Sequence, residues 1–184
     1  MVFNPFGDGN DAGAPYLLVA GFPRVEAFRP LWFVGWFGYL NLVVFFEKRP
    51  FTRAQFRRFM CDQSKPFPAM IELLRQLKAR FALKIVVVSN ESRELNAYRI
   101  RTFRLDGFVD TFVSSCFVGL RKPDTNIFRL ALDIAQVPPA RIVYLENTPM
   151  FASLAEAMGI RSVLHKDYKT TCAQLAAFGL QIDK

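Results

Sequence analysis

The chain has 184 residues, 52% of them hydrophobic and 20 of them phenylalanine, which is enough apolar material for one well-buried domain and argues against global disorder. Its formal charge of +8 suits an anionic partner, but the basic residues are scattered apart from Arg53, Arg57, Arg58 and Arg99, Arg101, Arg104, and no nucleic-acid-binding motif accompanies them. A single histidine argues against a His-based triad or a multi-His metal centre, and the three cysteines lack zinc-ribbon or redox spacing, so they read as reduced thiols of a cytoplasmic protein.

Residues 1–38 are irregular. "NPFGDGNDAGAP" is rich in turn formers, and "YLLVAGFPRVEAFRP" is apolar but broken by Gly21, Pro23 and Pro30. The apolar run "LWFVGWFGYLNLVVFF", residues 31–46, falls short of the roughly 20 residues a membrane span needs and carries Asn41 inside, so no membrane segment is expected. A signal peptide fits worse, because the leader has no early basic region.

From residue 50 the pattern becomes regular. "FTRAQFRRFMCDQ" predicts a short amphipathic helix behind a Thr52 cap, its arginines forming a solvated face. "PFPAMIELLRQLKARF" predicts a helix with Met70, Ile71, Leu73, Leu74 and Leu77 on one face. "LKIVVVSN" is a β-branched run without alternation, as in a parallel strand covered on both faces. A helix over "RELNAYRIRTFRL", a strand over "FVDTFVSS" and a helix "PDTNIFRLALDIAQ" opened by Pro123 follow. "VPPARIVYLEN" gives another buried strand, "MFASLAEAMGI" a helix stopped by Gly159, "RSVLH" a last strand, and residues 168–178 a terminal helix. This alternation predicts an α/β fold built on a doubly wound parallel sheet.

Ligand groups in such a sheet gather beyond the carboxyl ends of the strands. Three polar corners fall there: Ser89-Asn90, the loop Ser114–Lys122, and Glu146-Asn147. A hydroxyl and backbone N–H groups at Ser89 and Asn90 can hold a phosphate or carboxylate oxygen, and can equally well cap the next helix. Lys122, just before a proline, can neutralise an anion at this edge, although an isolated lysine is usually a surface group. Glu146 offers a divalent cation such as Mg²⁺ one carboxylate, and Asn147 only a neutral amide oxygen.

Taken together, "KIVVVSNESRELNAYRI", "SSCFVGLRKPDTNIFRLALDIAQVPPARIVYLEN" and "AEAMGIRSVLH" resemble the haloacid dehalogenase-like (HAD) hydrolase superfamily. The likeness runs from about Tyr39 to Leu180 and is strongest to phosphoglycolate-phosphatase-like and epoxide-hydrolase-N-domain-like members. It implies a Rossmann-like core over residues 67–184, a partial helical cap over 39–66, and a divergent or truncated segment over 1–38. It also implies Mg²⁺-dependent hydrolysis of a small phosphorylated molecule. Ser89 and Asn90 match the family's phosphate-binding strand end and Lys122 its charge-neutralising lysine, while Glu146 and Asn147 fall on the acidic pair that holds Mg²⁺.

Two departures qualify this. The family usually shows two aspartates where this chain has Glu146 and Asn147, so weaker metal binding is expected. Its first strand ends in Asp-x-Asp, whose first Asp attacks the substrate; here "FGDGND" offers Asp8 and Asp11, in a Gly-rich turn. The expectation is a phosphatase-type member with impaired catalysis. One alternative is a non-catalytic HAD-like binding protein, with residues 31–46 as a contact surface. The other is a dehalogenase or epoxide-type hydrolase, which dispenses with metal but needs the same nucleophile. A sheet without its first strand would expose edges and could dimerise through them. "YLLVA", residues 16–20, is the best local substitute, and its end at Gly21 supplies no carboxylate.

Overall fold

The computed structural model describes residues 16–20, as backbone, and residues 51–182. Five strands, β1 (Tyr16–Ala20), β2 (Lys84–Ser89), β3 (Thr111–Ser114), β4 (Ile142–Glu146) and β5 (Arg161–Leu164), form one sheet in the order β3-β2-β1-β4-β5. All pairings are parallel. "YLLVA" therefore takes the central position, with Leu18 level with Val86 of β2 and Tyr144 of β4. The core is accordingly not confined to residues 67–184: its middle strand comes from the segment that reads as irregular. The break-rich residues around it hid a strand that the two flanking edges pair from both sides.

Helices cover both faces, which is why the strands read as unbroken apolar runs. On one face Ile85, Val87, Val143, Leu145 and Val163 pack with Met70, Leu73, Leu74 and Leu77 of α2 (Pro68–Phe81) and with Leu175 of α7 (Tyr168–Ala177). On the other, Val86, Val88, Val113, Ile142 and Tyr144 pack with Ile127, Phe128 and Ala131 of α5 (Thr125–Ala135) and Ala155 of α6 (Pro149–Ala157). Helix α3 (Arg93–Thr102) follows β2, and the one-turn α4 (Ser115–Val118) lies inside the stretch that reads as a loop.

Local chemistry sets the boundaries. Helix α1 (Arg53–Asp62) opens on a capping box between Thr52 and Gln55. Helix α5 starts two residues later than Pro123 suggests, because the Asp124 side chain accepts from the Asn126 N–H at 2.9 Å and so becomes the cap. Helix α6 has Pro149 in its first turn and ends before Gly159, whose φ of 80° is costly for any residue with a Cβ. At the amino edge of the sheet Asp110 accepts from Lys78 Nζ at 2.5 Å, from the Ile85 N–H at 2.7 Å and from Lys84 Nζ at 3.5 Å, joining α2 to β2 and β3.

Helix α1 occupies part of the 39–66 stretch expected to form a partial cap, and is tied to α3 by Arg53 and Glu94 at 2.8 Å. The apolar run 31–46 lies outside the described residues, among which no helix is long and apolar enough to cross a membrane.

Candidate functional site

Successive side chains on a strand point to opposite faces, so Tyr144 and Glu146 share one. Both are buried, Tyr144 beneath α5 and α6. The Glu146 carboxylate meets four donors. Its Oε2 accepts from Lys122 Nζ at 2.8 Å and from Tyr144 Oη at 2.6 Å; its Oε1 accepts from the N–H groups of Asn147 and Thr148, both at 2.9 Å. Lys122 also donates to Tyr144 Oη at 3.1 Å, closing a buried triangle. Its Nζ lies 4.9 Å from the centroid of the Phe151 ring, which covers the ammonium further.

Burial dominates the electrostatics. It pulls the Lys122 ammonium below its ordinary range, against the Glu146 carboxylate, which works to keep it charged. Burial, and then Glu146, push the Tyr144 hydroxyl well above its ordinary value, so Tyr144 stays a donor.

Asn90 reaches the same corner by another route. Its side chain accepts from the Lys122 N–H at 2.8 Å and donates to the Lys122 carbonyl at 2.7 Å, a two-point hold on the backbone that carries the ammonium. Ser89 goes elsewhere. The register Val19–Val87 and Val19–Leu145 puts Ser89 on the face of Val87 and Leu145, opposite to Tyr144 and Glu146. There its hydroxyl donates to Ser114 Oγ at 3.2 Å, which donates to Asn96 Oδ1 of α3 at 3.2 Å. So the structure brings Lys122, Glu146 and Asn90 together and turns the Ser89 hydroxyl to the other side of the sheet.

Beside Ser89 lies a second buried pair. Glu91 accepts from Arg99 Nη1 at 2.5 Å, and Arg99 also donates to Ser64 Oγ at 3.1 Å, linking the end of α1 to α3. Burial raises the Glu91 carboxyl above its ordinary range in spite of Arg99, and its Oε2 has no donor partner among the described residues. Next to Glu146, just past the end of β5, His165 gives its backbone N–H to the Glu146 carbonyl at 2.7 Å. Thr171 Oγ1 spends its one proton on the Asp167 carbonyl, so His165 Nδ1, 2.7 Å from that oxygen, must be the donor there.

Tyr144, Glu91 and Arg99 escaped the sequence reading. Tyr144 carried a usable signal, since a residue two before Glu146 on a strand shares its face. Glu91 and Arg99 carried none, because a helix-start acid and a helical arginine are ordinary surface residues.

The central strand β1, "YLLVA", contains no carboxylate. Its last residue, Ala20, stands level with Val88, and one step beyond the Val19–Leu145 pair the register sets it beside Glu146. Asp8 and Asp11, the candidate nucleophiles, lie outside the described residues. Mg²⁺ fits this corner poorly. A carboxylate offers about four lone-pair positions, and all four of Glu146's face donors, one of them a cation. Asn147 adds only a neutral oxygen, and no group of three or more His, Cys, Asp or Glu suited to a metal occurs among the described residues.

The family model described as haloacid dehalogenase-like hydrolase matches residues 32–159. Bifunctional epoxide hydrolase 2 of Sus scrofa is 30% identical over 66 residues, 36% of this chain and 12% of that protein. The matched stretches thus amount to about a tenth of the length of the curated relatives. Among solved structures, a predicted HAD-like family hydrolase from Porphyromonas gingivalis superposes with a TM-score of 0.63 at 14% identity, covering 93% of this chain and 100% of that one. A HAD family enzyme from Bacteroides thetaiotaomicron, solved as a magnesium complex, gives 0.61 at 15% identity, covering 84% and 94%.

Proposed function

Because the chain belongs to the haloacid dehalogenase-like hydrolase family, we propose that it is a phosphatase-type member in which phosphoryl transfer is impaired. The observation that supports this most is the central strand, which reaches the site edge at Ala20 with no carboxylate to attack a phosphorus atom. What the corner retains is an anion-neutralising group. Lys122 spends two of its three N–H bonds on Glu146 and Tyr144, and Asn90 fixes its backbone. Glu146 favours the charged form of that lysine against its burial, so the two act together, Lys122 toward a small phosphorylated molecule and Glu146 toward Lys122.

The same features support a second reading, a HAD-like protein that binds an anionic ligand without turning it over. Dehalogenase or epoxide-type hydrolysis draws less support, since it needs the same nucleophile, which β1 does not supply.

The test is hydrolysis of p-nitrophenyl phosphate with and without Mg²⁺. Turnover should stay near background. Robust turnover abolished by Asp8→Asn or Asp11→Asn would overturn the reading and restore an N-terminal nucleophile.

A further inference from the structure

One solved relative of this fold, the HAD family enzyme from Bacteroides thetaiotaomicron, is known as a magnesium complex and also with magnesium and inorganic phosphate together. In this chain the carboxylate at the corresponding corner already meets four donors, one of them an ammonium, and we infer that Lys122 occupies the cation's place at Glu146, so that this corner excludes divalent metal instead of binding it weakly. The inference rests on taking Glu146-Asn147 as the family's acidic corner. It does not rest on catalysis being impaired.

The donor count carries the argument. A hard cation such as Mg²⁺ needs a carboxylate oxygen at roughly 2.1 Å with an unshared pair turned toward it. Both pairs of Oε1 face the N–H groups of Asn147 and Thr148, which belong to the backbone entering α6 and cannot leave without unwinding that entry. Both pairs of Oε2 face Lys122 and Tyr144. A metal at Oε2 would have to displace one of these and then sit against an ammonium held 2.8 Å from the same atom.

Nor can Lys122 easily withdraw. Its side chain is 4% exposed, its backbone is gripped on both sides by Asn90, and Phe151 closes over the Nζ. Tyr144 is fixed as well, its ring packed edge-on against Phe128 at 5.3 Å. The charge that a second aspartate would have supplied is absent, and the single charge that remains is already neutralised from within.

The experiment is a Mn²⁺ titration of the ¹⁵N-labelled full chain, reading paramagnetic broadening of the Asn147 and Thr148 amides, the two groups that touch Glu146. In the wild-type protein these amides should broaden no more than amides remote from the corner. In Lys122→Met, which keeps the apolar stem and removes the ammonium, they should broaden at about tenfold lower Mn²⁺, the size of effect that partners of metal ligands commonly have on affinity. Selective, Mg²⁺-competed broadening of these two amides in the wild type would overturn the inference, and so would a Lys122→Met protein as silent as the wild type. Tyr144→Phe, which frees one pair on Oε2 and keeps the ring, carries the same two readings should Lys122→Met not fold. Because the titration detects metal and the phosphate-ester assay detects turnover, either can fail while the other stands.

Discussion

The two edges of the sheet each join a lysine to a carboxylate that also takes backbone N–H groups, and they behave differently because of water. At the amino edge, Lys78 and Asp110 are 28% and 26% exposed. Burial there lifts the Asp110 carboxyl, but the bond from Lys78, the Ile85 N–H and the nearby Lys84 outweigh it and hold the carboxyl below its ordinary range. At the carboxyl edge, Lys122 and Glu146 are 4% and 2% exposed, and burial outweighs the partner, leaving the lysine below its ordinary range. The same pair of charges is a fastening where water shares the load and a finely balanced load where it does not.

The sharpest way to break this comparison is to remove one member of the dry pair. Lys122→Met should cost about 3–5 kcal/mol in urea unfolding, because it strands the buried Glu146 charge. The double variant Lys122→Met/Glu146→Leu should recover most of that loss. An equally large loss in both would mean that packing, and not the orphaned carboxylate, sets the cost.

Asp110→Asn tests the wetter edge and should cost less, about 1–2 kcal/mol, the worth of a charge-assisted hydrogen bond. Its pH dependence has a definite sign. The folded carboxyl lies below its ordinary value of 3.8, so the stabilisation is fully present above that value and is lost as pH falls through the lower, folded one. Thermal melts from neutral to strongly acidic pH should therefore fall less steeply in Asp110→Asn than in the wild type; matching slopes would remove Asp110 as the cause.

The smallest effect should come from Arg53→Ala. That arginine and Glu94 are 71% and 52% exposed, and the change should stay within about 0.5 kcal/mol by the same unfolding measurement. A larger loss would show that α1 depends on this one tie to α3.

Much of the fold was legible because the physics there is local. β-branched runs such as "KIVVVS" and "IVYLE" had to be covered on both faces, and α2 announced itself by apolar residues at helical spacing. The strand β1 was visible only as a gap-filler, since five residues among glycines and prolines have no periodicity to spare. The site was half legible. Lys122, Asn90 and Glu146 meet at one edge, as strand-end positions suggest, but the side taken by Ser89 follows from register. Val86 is level with Leu18, and Leu18 with Tyr144, and a slip of one residue in either pairing would have turned the serine toward Glu146. No run of residues in a single strand encodes that alignment; it arises only when three strands separated along the chain are laid side by side.

The amide of Asn90 has a mechanical consequence. By bonding both the N–H and the carbonyl of Lys122, it acts as an extra rung extending β2's ladder to the chain ahead of α5. A lysine on an ordinary loop must give up conformational entropy each time it greets a ligand. This one gave it up on folding, so any guest arriving at the corner finds its counter-charge already standing still.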